Sequence, residues 1–192
     1  MKSLKLALTL SFTLAASAIA AHAQVLDVRA GITTVNLSSS FVSALGTLKV
    51  TPSALSGSQL GGTYIDFPIV DGALDLSTGE AEITHGGGLR LTAGKTVVDL
   101  RDFIIDATSS QPTITGLVIA DGKLVGRVTL FNLAISSKDV QADGGFLLYI
   151  QDVGVTLTSG AATTLDSVFG TTALKGGTGI GTATVIGLTS SF

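Results

Sequence analysis

The stretch from Thr63 to Asp106, TYIDFPIVDGALDLSTGEAEITHGGGLRLTAGKTVVDLRDFIID, constrains the fold most. It reads as a meander of β-strands. Turn signals cut it at Asp71-Gly72, Ser77-Thr78-Gly79, Gly86-Gly87-Gly88 and Ala93-Gly94. A core for such strands is available, because 45% of the 192 residues are hydrophobic. Only 13% are charged, so Thr, Ser and Gly must cover the outside. Strands of this kind bury one face and turn Thr and Ser to water.

The first residues have the form of an export signal. Lys2 and Lys5 are the positive start, Leu6 to Ala20 is apolar, and Ala21-His22-Ala23 is a small-x-small cleavage site. We expect a signal peptide over 1–23, cleavage before Gln24, and one β-domain over 24–192. Loss of Lys2 and Lys5 takes the formal charge from −3 to −5. A mildly acidic chain without a basic patch is not built for nucleic acid. No stop-transfer pattern follows the leader, so no membrane span is expected in the mature chain. With no cysteine, the domain relies on packing alone. The expected location is periplasmic, cell-surface or extracellular.

The rest of the chain continues the β pattern. Val25 to Leu37 reads as two short strands around Gly31, and Asp121-Gly122 is a hairpin signal. Two short helices interrupt the strands. Ser38 caps the first, Phe41, Val42 and Leu45 form its apolar face, and Gly46 ends it. Thr158 caps the second and Gly170 ends it. The two helices sit in a repeat: VNLSSSFVSALGTLKVT from Val35 lies over VTLTSGAATTLDSVFGT from Val155 without a gap. Duplication and convergence on a useful strand–helix corner both explain it. The expectation is all-β: a single antiparallel, sandwich-like domain of roughly ten to twelve strands, with the two helices closing the sheet system at its ends.

Little in the sequence carries chemistry. After processing, His85 is the one histidine, and no G-x-S-x-G elbow presents a serine to it. It stands against three glycines, where a polar turn residue is unremarkable and a ligand contact is the functional alternative. One histidine and no cysteine exclude a histidine- or thiolate-rich zinc site. The carboxylates from Asp66 to Asp106 read as a solvated face with local pairing, and the absence of Trp leaves a sugar little to stack on. No catalytic residue and no metal site are assigned. The C-terminal Phe192 after alternating Ile186 and Leu188 admits a small outer-membrane barrel, although two tyrosines cannot make two aromatic belts.

The run Phe67-Pro68-Ile69, Gly72, Asp75, Thr78-Gly79 and Gly87-Gly88-Leu89-Arg90 resembles the HtaA-type domain of secreted and cell-surface bacterial proteins. Gly126-Arg127-Val128 and the tail LDSVFGTTALKGGTGIGTATV add to the likeness. These are turn and core residues, which specify a fold better than a function. The resemblance implies haem, held in the family by a tyrosine from a Ser-Phe-Arg-x-Tyr-type segment and supported by a histidine. Here that segment is Ser40-Phe41-Val42-Ser43-Ala44, with Ala44 at the tyrosine position, and alanine cannot bind iron. Tyr64, His85 and Tyr149 are the speculative haem contacts. The expected function is a secreted, non-enzymatic binding or surface module whose partner is a small molecule or the cell surface. The alternatives are a haem-binding protein with a non-standard ligand, and the small membrane barrel.

Overall fold

A sheet edge leaves a row of backbone donors and acceptors unpaired, and one way to remove it is to close the sheet on itself. This chain does so. The computed structural model describes residues 25–143 and 145–191; the expected signal peptide lies outside them. The elements run β1 (Val25–Leu37), α1 (Ser39–Thr47), β2 (Thr51–Ala54), β3 (Gln59–Gly61), β4 (Tyr64–Asp75), β5 (Ala81–His85), β6 (Gly88–Ala93) and β7 (Thr96–Asp106). Then come β8 (Thr113–Ala120), β9 (Lys123–Ala134), β10 (Val140–Asp143), β11 (Leu147–Leu157), α2 (Ser159–Phe169) and β12 (Gly179–Ser191). Eight strands form a ring in the order β7-β5-β4-β1-β12-β11-β9-β8, and β8 pairs again with β7. The all-β, antiparallel, two-helix expectation holds. The sandwich does not, because the β7–β8 pairing closes the sheet into a barrel.

Bulges supply the bend that closure needs. In β7 the register slips between Arg101 and Ile104, and Asp102 has φ 52°. The Arg127 guanidinium donates to the carbonyl that Asp102 turns outward, at 2.9 Å. Opposite this bulge, the triple glycine is no hairpin turn. β5 and β6 run in the same direction along one edge of β7, and the chain jogs between them at Gly86-Gly87. The jog moves it from β4 to β2 as second neighbour. A Cβ at Gly88 would sit 2.8 Å from that of Arg101, so the close approach requires glycine. Asp71-Gly72 is no turn either. β4 continues through it to Asp75, with a register shift between Ile69 and Asp71. β1 is likewise one strand with a bulge, not two.

The repeated corners share their chemistry. Ser38 Oγ accepts from the Phe41 N–H (3.1 Å) and donates to the Gly179 carbonyl (3.0 Å). Thr158 Oγ1 accepts from the Ala161 N–H (3.0 Å) and donates to the Thr129 carbonyl (2.6 Å). Each hydroxyl caps a helix and ties it to a neighbouring strand. Gly170 takes the left-handed conformation at φ 64°, as a helix stop does. Gly46 does not stop α1, which runs on to Thr47. The helices do not close opposite ends. β1 and β11 both run antiparallel to β12 between them, so α1 and α2 follow them at the same end of the barrel.

Leu26, Leu74, Ile83, Leu130 and Leu148 are among the most deeply buried residues, so the barrel interior is aliphatic. A lipid-spanning barrel with an aqueous lumen carries the inverse, a polar interior inside an apolar outer band. Leu147, Ile186 and Leu188 are exposed on β11 and β12, and so are Val70 on β4 and Leu124 and Val125 on β9.

Candidate functional site

Two helices at one end of an aliphatic barrel leave a chamber between them and the strands. It measures about 140 Å³. α1 contributes Phe41 and Leu45, with Leu48 at its C-cap, and α2 contributes Leu165 and Phe169. Val42, expected on the buried face of α1, is 40% exposed. α1 is the more lightly held helix: Leu45 is its buried residue, whereas α2 buries Ala161, Ala162 and Leu165. Phe67 of β4 and Phe103 of β7 meet edge to face in the wall, with centroids 5.1 Å apart. The bulge at Asp102 sets the inward phase of Phe103.

The polar residues lining the chamber are Thr33, His85 and Thr171. Alternation along β5 carries Ala81, Ile83 and His85 inward together. His85 is therefore no surface turn residue; it is 3% exposed. Its Nε2 lies 2.7 Å from Thr33 Oγ1, and its Nδ1 has no hydrogen-bond partner. Burial pushes the imidazole down to about 4, because a charged ring would be stranded among apolar neighbours. The nearby Phe103 and Ile83 carbonyls oppose this only in part and do not reach hydrogen-bond geometry with Nδ1. The ring is neutral at physiological pH.

The three residues the sequence singled out are not brought together. Tyr64 precedes the buried Ile65, and Tyr149 lies between the buried Leu148 and Ile150, so both face outward while His85 faces in. Tyr64 is 42% exposed and lies over Gly61. Tyr149 lies on β11, which β1 and β12 separate from β4, and it pairs with Ile186 of β12 and Gln141 of β10. Ala44 sits half-buried on α1.

The carboxylates serve local structure. Asp99 takes a bidentate pair from Arg90 at 2.6 and 2.8 Å, which holds its carboxyl below the usual range. Ser77 does the same for Asp75 and Thr108 for Asp106 through side-chain and backbone hydrogen bonds. Among the described residues, no group of three or more His, Cys, Asp or Glu could hold a metal ion.

Sequence reasoning missed a second cavity, of about 420 Å³, at the opposite mouth of the barrel. Thr78, Glu80, Ser109 and Ser110 line it together with Leu74, Leu133 and Val153. Thr33, Ile105 and Ile114 line both chambers and so form the floor between them. Both chambers depend on barrel closure, for which the sequence carries no local signal.

No family model matches the sequence, and no curated protein sequence matches it significantly. Solved structures do match. The C-terminal domain of HtaA from Corynebacterium glutamicum is similar at TM-score 0.68 and 15% identity, over 86% of this chain and 99% of that one. The heme-binding protein HtaB from the same organism gives 0.57 and 12%, over 88% and 96%. A domain-swapped dimer of a histidine-to-alanine variant of the HtaA domain gives 0.54 and 14%, over 81% and 93%. The chain has an HtaA-type fold.

Proposed function

We propose that this chain is an exported, non-enzymatic binding module that holds a compact apolar molecule in the chamber closed by its two helices. One observation carries the reading: a closed barrel keeps an apolar space of about 140 Å³ with a buried, half-satisfied imidazole in its wall. Eight-stranded barrels have room inside for side chains or for one small ligand. The non-enzymatic part rests on His85, whose hydrogen-bond partner is a threonine where a triad needs a carboxylate and a nucleophile. Export rests on the leader. A secreted chain beginning at Gln24 supports it, and one retaining Met1 refutes it.

The second reading is haem. The likeness to a heme-binding protein of this fold favours it. The residues present do not fit haem inside the barrel. Ala44 offers no ligand atom, Tyr64 and Tyr149 face outward, the chamber beside His85, at about 140 Å³, falls below the roughly 300 Å³ at which pockets for drug-sized ligands begin, and the cavity of about 420 Å³ at the opposite mouth is lined by no histidine or tyrosine among the described residues. A porphyrin would have to displace α1 together with its buried Leu45, or sit outside against a tyrosine. Titration with hemin decides between the readings. The compact-ligand reading expects no saturable Soret shift. A stoichiometric shift lost in Tyr64→Ala, Tyr149→Ala or His85→Ala would establish haem instead.

A further inference from the structure

The end of the barrel away from the helices is left unfilled by side chains. The cavity there measures about 420 Å³, against about 140 Å³ for the helix chamber. Leu74, Ile83, Ile105, Leu133, Ile150 and Val185 line it from six different strands, and all are buried. The space is therefore barrel lumen and not a crease in the surface. Apolar walls with no atoms against them forfeit their dispersion contacts. Water fills such a space poorly, since a buried water needs two to four polar partners. The hydroxyl in the floor, that of Thr33, is already engaged with His85 at 2.7 Å.

The mouth of this cavity has the opposite character. Thr78 and Glu80 of the β4–β5 turn line it, with Thr108, Ser109 and Ser110 of the β7–β8 loop, and all five are exposed. Several of the hydroxyls are committed to their own loops. Thr78 accepts from the Glu80 N–H, Thr108 donates to the Asp106 carboxylate, and Ser109 donates to the Gln111 carbonyl. The Glu80 carboxylate takes no part in the ion pairs among the described residues. It is also the one charged side chain among the described residues that line the cavity. The strand ends and loops around it carry Asp75, Asp106 and Asp139 against Lys138. An anion entering here meets like charge, and a cation meets opposite charge.

An apolar lumen beneath a polar, acidic rim selects an amphiphile. An apolar cavity of roughly 150 Å³ takes one benzene ring, so about 420 Å³ has room for a body of two rings. Pockets for drug-sized ligands begin at roughly 300 Å³. The same body is too large for the helix chamber of about 140 Å³.

We propose that this mouth is a second binding site, for a cationic amphiphile: a two-ring apolar body in the lumen and a protonated amine at the rim, beside Glu80. The site goes beyond the binding reading above, because Thr33, Ile105 and Ile114 form a floor between the two spaces.

Calorimetric titration of the mature chain with naphthylethylamine, naphthylethanol and naphthylacetate tests it. The three share an apolar body and differ at the head. The amine should bind about two- to fivefold more tightly than the alcohol, the effect of one exposed ion pair. Naphthylacetate should bind least. High salt should shrink the preference for the amine. Glu80→Gln should bring amine and alcohol to the same affinity. Ala107→Leu, half-buried in the wall, and Ser110→Phe, on the exposed rim, should each weaken all three ligands. The second variant keeps the test open if the first does not fold. No binding of any of the three, equal affinity for amine and alcohol in the wild type, tightest binding of naphthylacetate, or a preference that survives Glu80→Gln would overturn the proposal. So would binding that Ala93→Leu, in the helix chamber, abolishes while Ala107→Leu and Ser110→Phe leave it intact.

Discussion

Lowering the pH from neutrality should destabilise this protein chiefly through one residue, His85. Its ordinary value of 6.5 applies to the unfolded chain, and burial pushes it down to about 4 in the fold. Below 6.5 the unfolded state takes up a proton that the folded state refuses, so stability falls as pH falls. The loss runs from about pH 6.5 and is complete once the folded ring also protonates, near pH 4. Within that window each pH unit costs at most about 1.4 kcal/mol. Linkage then gives a loss of roughly 2 kcal/mol between pH 7 and pH 4.5. Asp75, Asp99 and Asp106 also destabilise the fold in acid, since each is held below its ordinary value of 3.8. Their window therefore begins near 3.8 and lies mostly below that of His85. Urea unfolding of the wild type and His85→Leu at pH 7, 5.5 and 4.5 separates the two effects. The wild type should lose about 2 kcal/mol over that range relative to the variant. Parallel stability curves for the two proteins would refute the claim that His85 is buried and neutral.

Three further outcomes follow from the geometry. Ser38→Ala and Thr158→Ala should each cost about 1–2 kcal/mol by urea unfolding, because each hydroxyl caps a helix and also donates to a strand carbonyl. A cost in one and none in the other would break the equivalence of the two corners. Gly116→Ala should destabilise by about 1–3 kcal/mol, since its Cβ would meet Phe103 and Leu130 at 2.8 Å; an unchanged melting temperature would contradict that packing. Arg127→Ala should cost about 1 kcal/mol or less and speed amide exchange at the β7 bulge whose Asp102 carbonyl it holds, and unaltered exchange there would show that the bulge stands without it.

Local signals were legible in the sequence and long-range ones were not. Helix caps at Ser38 and Thr158 and the stop at Gly170 depend on a few neighbouring residues, so they could be read directly. The return of β8 to β7 involves strands whose edges look alike in sequence, so the sheet read as a sandwich. Asp71-Gly72 carries turn chemistry, yet a Cβ at position 72 would meet the Glu82 carbonyl at 2.7 Å, and glycine is there for that approach. His85 read as a turn residue because three glycines follow it. The alternation Ala81, Ile83, His85 already pointed it inward, and the same period turned Tyr64 and Tyr149 outward. The two chambers had no sequence signature, since a cavity is what side chains from many strands jointly fail to fill.

The claim on which the account turns is that ligand enters beneath the helices, beside His85. Intermolecular NOEs between benzene and isotope-labelled mature protein test it most directly. The account predicts NOEs to Phe103 and Leu165. NOEs confined to Tyr64 or Tyr149 on the outer face would contradict it.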